Sequence, residues 1–152
     1  MLKLRKNKKG FTLVELIVVI AIMAVLAGTV AGVTVSQLNK QTDNANKTQA
    51  KKVADYIASL IIEGDIYIST GETNTNKFML KGETPAADAL LTATNLKTAV
   101  DKEFPKVIAE AAGKGNITLT VADTSITVTY THKAGTKTTT YTINGEGLVS
   151  GN

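Results

Sequence analysis

The chain has 152 residues, no cysteine and a single histidine, His132, which excludes disulfides and thiol chemistry and argues against a structural zinc site. Its formal net charge is +4, but Lys3, Arg5, Lys6, Lys8 and Lys9 crowd the first ten positions, and beyond them twelve basic residues face thirteen acidic ones. The excess charge therefore belongs to the N-terminal tail, and the clustered basic footprint of a nucleic-acid binder is not legible in the remainder.

Residues 16–39 contain no charged side chain, and residues 16–35 are apolar apart from Thr29, Thr34, Gly28 and Gly32. About 20 residues at ~1.5 Å each form a helix long enough to cross a bilayer core. The preceding cations favour the cytoplasm, which places the C-terminus outside. A secretory signal peptide has a shorter apolar core, of ~7–15 residues. A plain membrane anchor fits the length but leaves Glu15 unexplained. An ionisable group at membrane depth costs up to ~3 kcal/mol, less near the edge, and is functional by default.

The stretch KKGFTLVELIVVIAIMAVLAG, from Lys8 to Gly28, resembles the N-terminal signature of type IV prepilins and pseudopilins. Gly10, Phe11, Thr12, Leu13 and Glu15 match that signature residue by residue, and the resemblance covers roughly residues 6–35. It implies a leader over residues 1–10, cut between Gly10 and Phe11 by a membrane aspartyl peptidase that then methylates the new N-terminus at Phe11. It also implies an assembly role for Glu15, Phe11 and Thr12. The amine of Phe11 and the carboxylate of Glu15 are both costly at membrane depth. Pairing between neighbouring subunits would neutralise them in a low-dielectric setting; a pair within one chain is the competing arrangement. Many pilins carry a proline midway along this helix. Here the only prolines are Pro85 and Pro105, so Gly28 and Gly32 become the candidates for local helix loosening, at ~1 kcal/mol each relative to alanine. The same Gly-x-x-x-Gly spacing also suits close helix contact, or plain tolerance of small residues.

After residue 35 the pattern becomes amphipathic. Ala50, Val53, Ile57, Leu60 and Ile61 recur at helical spacing, while Lys47, Lys51, Lys52 and Asp55 populate other faces. This predicts one helix of ~75 Å over residues 12–62, with residues 11–35 its membrane or filament half and 36–62 its amphipathic half, stopped by Gly64. Residues 63–152 form the head. Residues 65–84 read as a polar connection with short extended pieces. Thr84 and Pro85 read as the cap and first position of a helix reaching about residue 112, divided at Pro105, and Gly113 and Gly115 end it. From 116 to 149 the period is two. Ile117, Leu119 and Val121, then Ile126, Val128 and Tyr130, then Tyr141 and Ile143 alternate with threonines, which predicts an antiparallel meander with turns near 122–124 and 134–135. Its apolar face needs the stripe of residues 53–61 as cover. The resulting class is α+β: a type IV pilin fold with a long N-terminal helix packed on a small antiparallel sheet and an additional helix.

Other candidate sites are weaker. Glu63, Asp65 and Glu72 match no calcium loop and read as solvated acids. His132 reads as a surface residue near a hairpin turn. Asn46 and Asn116 head Asn-x-Thr patterns, and the threonine face suits either O-linked sugar or strand formation. No catalytic constellation, metal site or cofactor motif is apparent, so the chain does not read as an enzyme.

The resemblance implies a structural subunit of a type IV pilus, a filament of adhesion and motility, stored as a single-pass membrane protein and polymerised through its apolar helix at the cell surface. Its partners would be a prepilin peptidase, copies of itself and other pilins, an assembly platform, and the bilayer before assembly. The alternatives are a pseudopilin of a secretion or DNA-uptake fibre and, from another class, a membrane-anchored binding domain. The final Leu-Val-Ser-Gly-Asn has no apolar tail and disfavours a sortase-linked pilin. Absence of cysteine resembles the pilins of Gram-positive bacteria.

Overall fold

The computed structural model describes residues 10–71, 74–82, 88–133 and 136–151. The elements in chain order are α1 (Leu13–Glu63), β1 (Ile66–Ile68), β2 (Phe78–Leu80), β3 (Ala89–Leu90), α2 (Ala93–Glu103), β4 (Ile117–Val121), β5 (Ser125–Thr131), β6 (Thr138–Asn144) and β7 (Val149–Gly151). A long N-terminal helix, antiparallel sheets and a second helix make the α+β, pilin-like fold. Two compact units divide the chain, Met1–Leu38 and Asn39–Asn152. The predicted leader lies almost wholly outside the described residues, as do Glu72, the Thr84 and Pro85 start signal, and the 134–135 turn.

In the first unit α1 exposes every residue from 13 to 38. The chain has no polar face here, and Leu16, Ile17, Ile20, Met23 and Leu26 all stand in the open.

In the second unit the helix is amphipathic and one stripe is closed off. Ala50, Val53, Ala54 and Ile57 are fully buried, with Leu60 and Ile61 beside them. They join Phe78, Leu96, Val100, Ile126, Val128, Tyr130 and Ile143 in one core. The helix ends where Gly64 adopts φ +84, a left-handed conformation cheap only for glycine. Gly64 N–H bonds the Ile61 carbonyl (3.1 Å) and Asp65 N–H bonds that of Leu60 (2.9 Å), the paired bonds of a Schellman stop.

The larger sheet runs β4-β5-β6-β7, all antiparallel, with Ile117 opposite Tyr130, Val128 opposite Tyr141 and Ile126 opposite Ile143. Strand β5 buries alternate residues and turns Thr127 and Thr129 outward. The meander expected from the period-two pattern is present, with β7 as a fourth strand that the sequence reading does not include. In the three-stranded sheet β1-β2-β3, β1 and β2 fall within the residues expected to form the polar connection, 65–84, and β3 lies beyond them.

The middle helix departs from expectation. Residues 89–90 pair with β2 as strand, so the helix cannot run from residue 85. It begins after Thr92, where a capping box competes successfully: Thr92 N–H donates to Asn95 Oδ1 (2.7 Å) and Asn95 N–H to Thr92 Oγ1 (3.3 Å). Asp88 is engaged elsewhere, accepting from Tyr67 Oη (2.7 Å) and Gly82 N–H (2.8 Å). Pro105 ends the helix instead of dividing it. The residue before a proline is pushed out of the helical region, and Phe104 sits at φ −122, ψ 70. Lys106 then adopts φ 63, and Ile108 bridges Ile117 alone.

Candidate functional site

The start of α1 is organised by its own side chains. Gly10 and Phe11 precede the helix, and Phe11 is 89% exposed. Thr12 stands at the cap, three residues before Glu15. Glu15 Oε2 accepts from Thr12 N–H and from Thr12 Oγ1, both at 2.8 Å, while Glu15 N–H donates to Thr12 Oγ1 at 3.3 Å. This reciprocal arrangement satisfies helix-end donors that have no intrahelical partner. The Thr-x-x-Glu spacing that codes for it is plain in the sequence, yet the sequence reading above assigns Glu15 only a pairing role. Within the chain Glu15 meets Thr12. Its second oxygen, Oε1, has no hydrogen-bond partner among the described residues.

Further along, the carbonyls of Leu26 and Val30 accept from the hydroxyls of Thr29 (3.0 Å) and Thr34 (2.8 Å). Both threonines thereby hide their polarity within an apolar helix. No side chain beyond the adjacent residues lies within 4 Å of where a Cβ on Gly28 or Gly32 would stand. Among the described residues α1 is the one helix long and apolar enough to cross a membrane, by length and composition.

The second unit holds a buried polar cluster that sequence reading missed. Asp43 is 7% exposed, His132 8%, Thr139 4% and Tyr130 fully buried. Asp43 Oδ1 accepts from Tyr130 Oη (2.6 Å) and from the backbone N–H of Lys133 (2.8 Å). Asn46 Nδ2 donates to Tyr130 Oη (3.3 Å). His132 Nε2 lies 2.8 Å from Thr139 Oγ1, and its Nδ1 lies 3.9 Å from Asp43 Oδ2. Burial pushes the Tyr130 phenol pKa up, and hydrogen bonding to the Asp43 carboxylate pushes it the same way. His132 is thus a packed core residue, not the surface residue expected. A signal was available: Asp43 and Asn46 extend the 50, 53, 57 stripe at spacings of four and three, so a carboxylate on the buried face needed partners. The Asn46 and Asn116 amides are also occupied, Asn116 Nδ2 donating to the Ala111 carbonyl (3.1 Å). Among the described residues no group of His, Asp and Glu is arranged to hold a metal ion.

Residues 5–31 match the family model described as the prokaryotic N-terminal methylation motif, a match confined to well under half of the chain. No curated protein and no solved structure matches the chain. The matched stretch holds Gly10, Phe11, Thr12 and Glu15. Motif, exposed apolar helix and α+β head together support a prepilin-type protein, a precursor of the type IV pilin or pseudopilin kind.

Proposed function

We propose that the chain is a structural subunit of an extracellular type IV pilus and has no enzymatic role. It waits in the cell membrane as a single-pass protein with its leader in the cytoplasm and its C-terminus outside. A prepilin peptidase cuts between Gly10 and Phe11 and methylates Phe11. The assembly platform then draws the subunit into a homopolymer, with or without other pilins, whose core is built from the apolar helices.

The observation that carries this reading is the placing of Glu15. It is the first charged residue after the Gly10 and Phe11 junction, it stands in the first turn of α1, and uniformly exposed apolar helix follows it. Thr12 occupies one of its oxygens, which leaves Oε1 to receive the Phe11 amine of a neighbouring subunit. Two charges that are each costly in an apolar core then neutralise each other and fix the axial register of the next subunit.

Intact mass and N-terminal sequencing of filament protein test the processing step. The expected first residue is a methylated Phe11. Retention of residues 1–10, or a cut beyond Val35, removes the pilin reading. Substitution tests the assembly step. Glu15→Leu takes a polar group out of a membrane segment, so insertion and leader cleavage should proceed. Filament should be lost from sheared fractions, because one partner of a buried pair left alone costs ~3–5 kcal/mol. Uncleaved precursor would instead make Glu15 a peptidase determinant.

A further inference from the structure

Five lysines far apart in sequence lie on segments joined by hydrogen bonds around Asp43 in the second unit. Lys40 and Lys47 flank Asp43 on α1. Lys133 gives its backbone N–H to the Asp43 carboxylate (2.8 Å), and the Lys137 carbonyl accepts from His132 N–H (2.9 Å). Lys114 precedes Gly115, whose N–H bonds the Thr131 carbonyl (2.7 Å). The Lys133 side chain crosses Gly115 so closely that a Cβ there would stand 3.2 Å from its Cγ and 3.3 Å from its Cε. Lys40, Lys114, Lys133 and Lys137 are exposed and Lys47 is half-buried. In segments 39–49, 113–116, 131–133 and 136–138 the single carboxylate is Asp43, buried and already hydrogen-bonded. The next along the chain is Glu110, beyond the 113–116 turn. The near-neutral count for residues 11–152 conceals this collar, because the folded chain concentrates cations there and leaves Glu63, Asp65 and Glu146 elsewhere.

We propose that this collar docks on an anionic membrane surface, binding the phosphates of lipid headgroups. The inference rests on the membrane-spanning reading above and adds a contact made by the head. Chain order favours lipid as the occupant. The apolar run closes at Val35, and Lys40 follows five residues later. At ~1.5 Å per helical residue that is ~7.5 Å, about the depth of the headgroup layer outside the hydrocarbon core. The second unit begins at Asn39, one residue before Lys40. Each Lys or Arg near an anionic lipid surface contributes ~1 kcal/mol of attraction. Lysine suits a fluid array of headgroups because it binds phosphate as a point charge without fixed geometry. The collar would hold the head against the surface before extraction and weaken as salt rises.

The full chain has no cysteine, so Thr136→Cys gives a single attachment point for an environment-sensitive fluorophore beside the collar. The labelled chain is reconstituted into vesicles of phosphatidylcholine alone, or enriched in phosphatidylglycerol, each containing a lipid with a quencher on its headgroup. Quenching should be stronger in the anionic vesicles. It should fade as salt goes from ~0.1 M to ~1 M, which shortens the Debye length from ~10 Å to ~3 Å. Replacing Lys40, Lys114, Lys133 and Lys137 by glutamine should abolish the difference, with roughly fivefold weaker surface contact per lysine removed. Near-ultraviolet circular dichroism checks that the variant head is folded. Equal quenching in both lipids overturns the docking proposal while the chain stays resistant to carbonate extraction. Loss of the chain in the carbonate wash overturns the membrane-spanning reading and the docking with it. Relief of quenching by duplex DNA, without any lipid dependence, reassigns the collar to nucleic acid and also overturns the proposal.

Discussion

Residues 13–38 and residues 47–61 of α1 are both helical and both carry a run of apolar side chains, yet none of the first set is buried while Ala50, Val53, Ala54 and Ile57 are fully enclosed. The difference lies in where the polar residues fall. Lys47, Lys51, Lys52 and Asp55 give the second stretch a wet face, and its other face is covered by its own sheet. The first stretch has no wet face. Each buried Leu, Ile or Val is worth ~1.5–3 kcal/mol, so an apolar segment left uncovered needs a surrounding from outside the chain. Bilayer and neighbouring helices are the two surroundings the proposed life cycle offers in turn.

The sharpest way to break this comparison is one substitution made in both places. Ile57→Ala should destabilise the head by ~2–5 kcal/mol, the cost of lost burial plus a cavity. Ile20→Ala should leave head stability unchanged. All four tyrosines lie beyond residue 38, so near-ultraviolet circular dichroism during urea unfolding of the full chain in micelles reports the head alone. Equal losses from the two variants would mean that the first stretch is packed on the head.

The sequence reading succeeds where a pattern is local and periodic. The stripe at 50, 53, 57, 60 and 61 and the alternation in β4, β5 and β6 are direct consequences of 3.6- and 2-residue periods. It fails where local signals compete. Thr84 with Pro85 is a good start signal on paper, but Thr92 with Asn95 completes a reciprocal cap and Asp88 is committed to Tyr67 and Gly82. It fails again where the signal is tertiary. No window of sequence brings Asp43 to Tyr130 or to Lys133. The Thr12 and Glu15 cap lies between these cases, since its spacing is readable but a more specific motif occupies the same residues.

The Asp43 cluster gives the next largest effect. Asp43→Ala strips Tyr130 Oη of its acceptor and leaves Lys133 N–H without one, at a position where Asp43 is only 7% exposed. A buried polar group left unsatisfied costs ~1–3 kcal/mol. Asp43→Asn keeps an acceptor oxygen and should recover part of the loss. Urea midpoints by the same tyrosine signal decide between them. If alanine is tolerated as well as asparagine, the cluster does not anchor α1.

Smaller again is the response to pH. Hydrogen bonds from Tyr67 and from Gly82 N–H hold the Asp88 carboxyl below its usual pKa. A depressed carboxylate contributes stability above its unfolded pKa of ~3.9 and loses it as pH falls through the folded value. The Tyr130 pKa is raised, so its contribution is complete below ~10 and is lost as pH climbs through the folded value. Head stability should therefore sag at both extremes. The same hydrogen bond raises the Tyr67 pKa, so Tyr67→Phe, which removes the leading cause of the Asp88 shift, should flatten the acid side and also part of the alkaline side. Melting points across the pH range for wild type and variant measure this, and an unchanged acid slope would remove Asp88 as its source.

The smallest effects come from glycine, and here the two regions should answer with opposite signs. Gly147 adopts φ +77, and a Cβ there would meet Ile62 Cγ1 at 3.0 Å and the Ala58 carbonyl oxygen at 3.1 Å. Gly147→Ala forces a left-handed alanine against the back of α1, so the head should lose at least the ~1–2 kcal/mol cost of that conformation. Gly28 is helical, and a Cβ there meets no side chain beyond the adjacent residues within 4 Å. Gly28→Ala should therefore stabilise the local helix by ~1 kcal/mol. The gain should appear as slower amide exchange over residues 24–36 in micelles, with no change in the tyrosine melt. If the glycines are there to let the helix loosen during assembly, the Gly28→Ala, Gly32→Ala double variant will be the better helix and the poorer filament former. Normal filament yield from a measurably stiffened double variant would leave the glycines without that role.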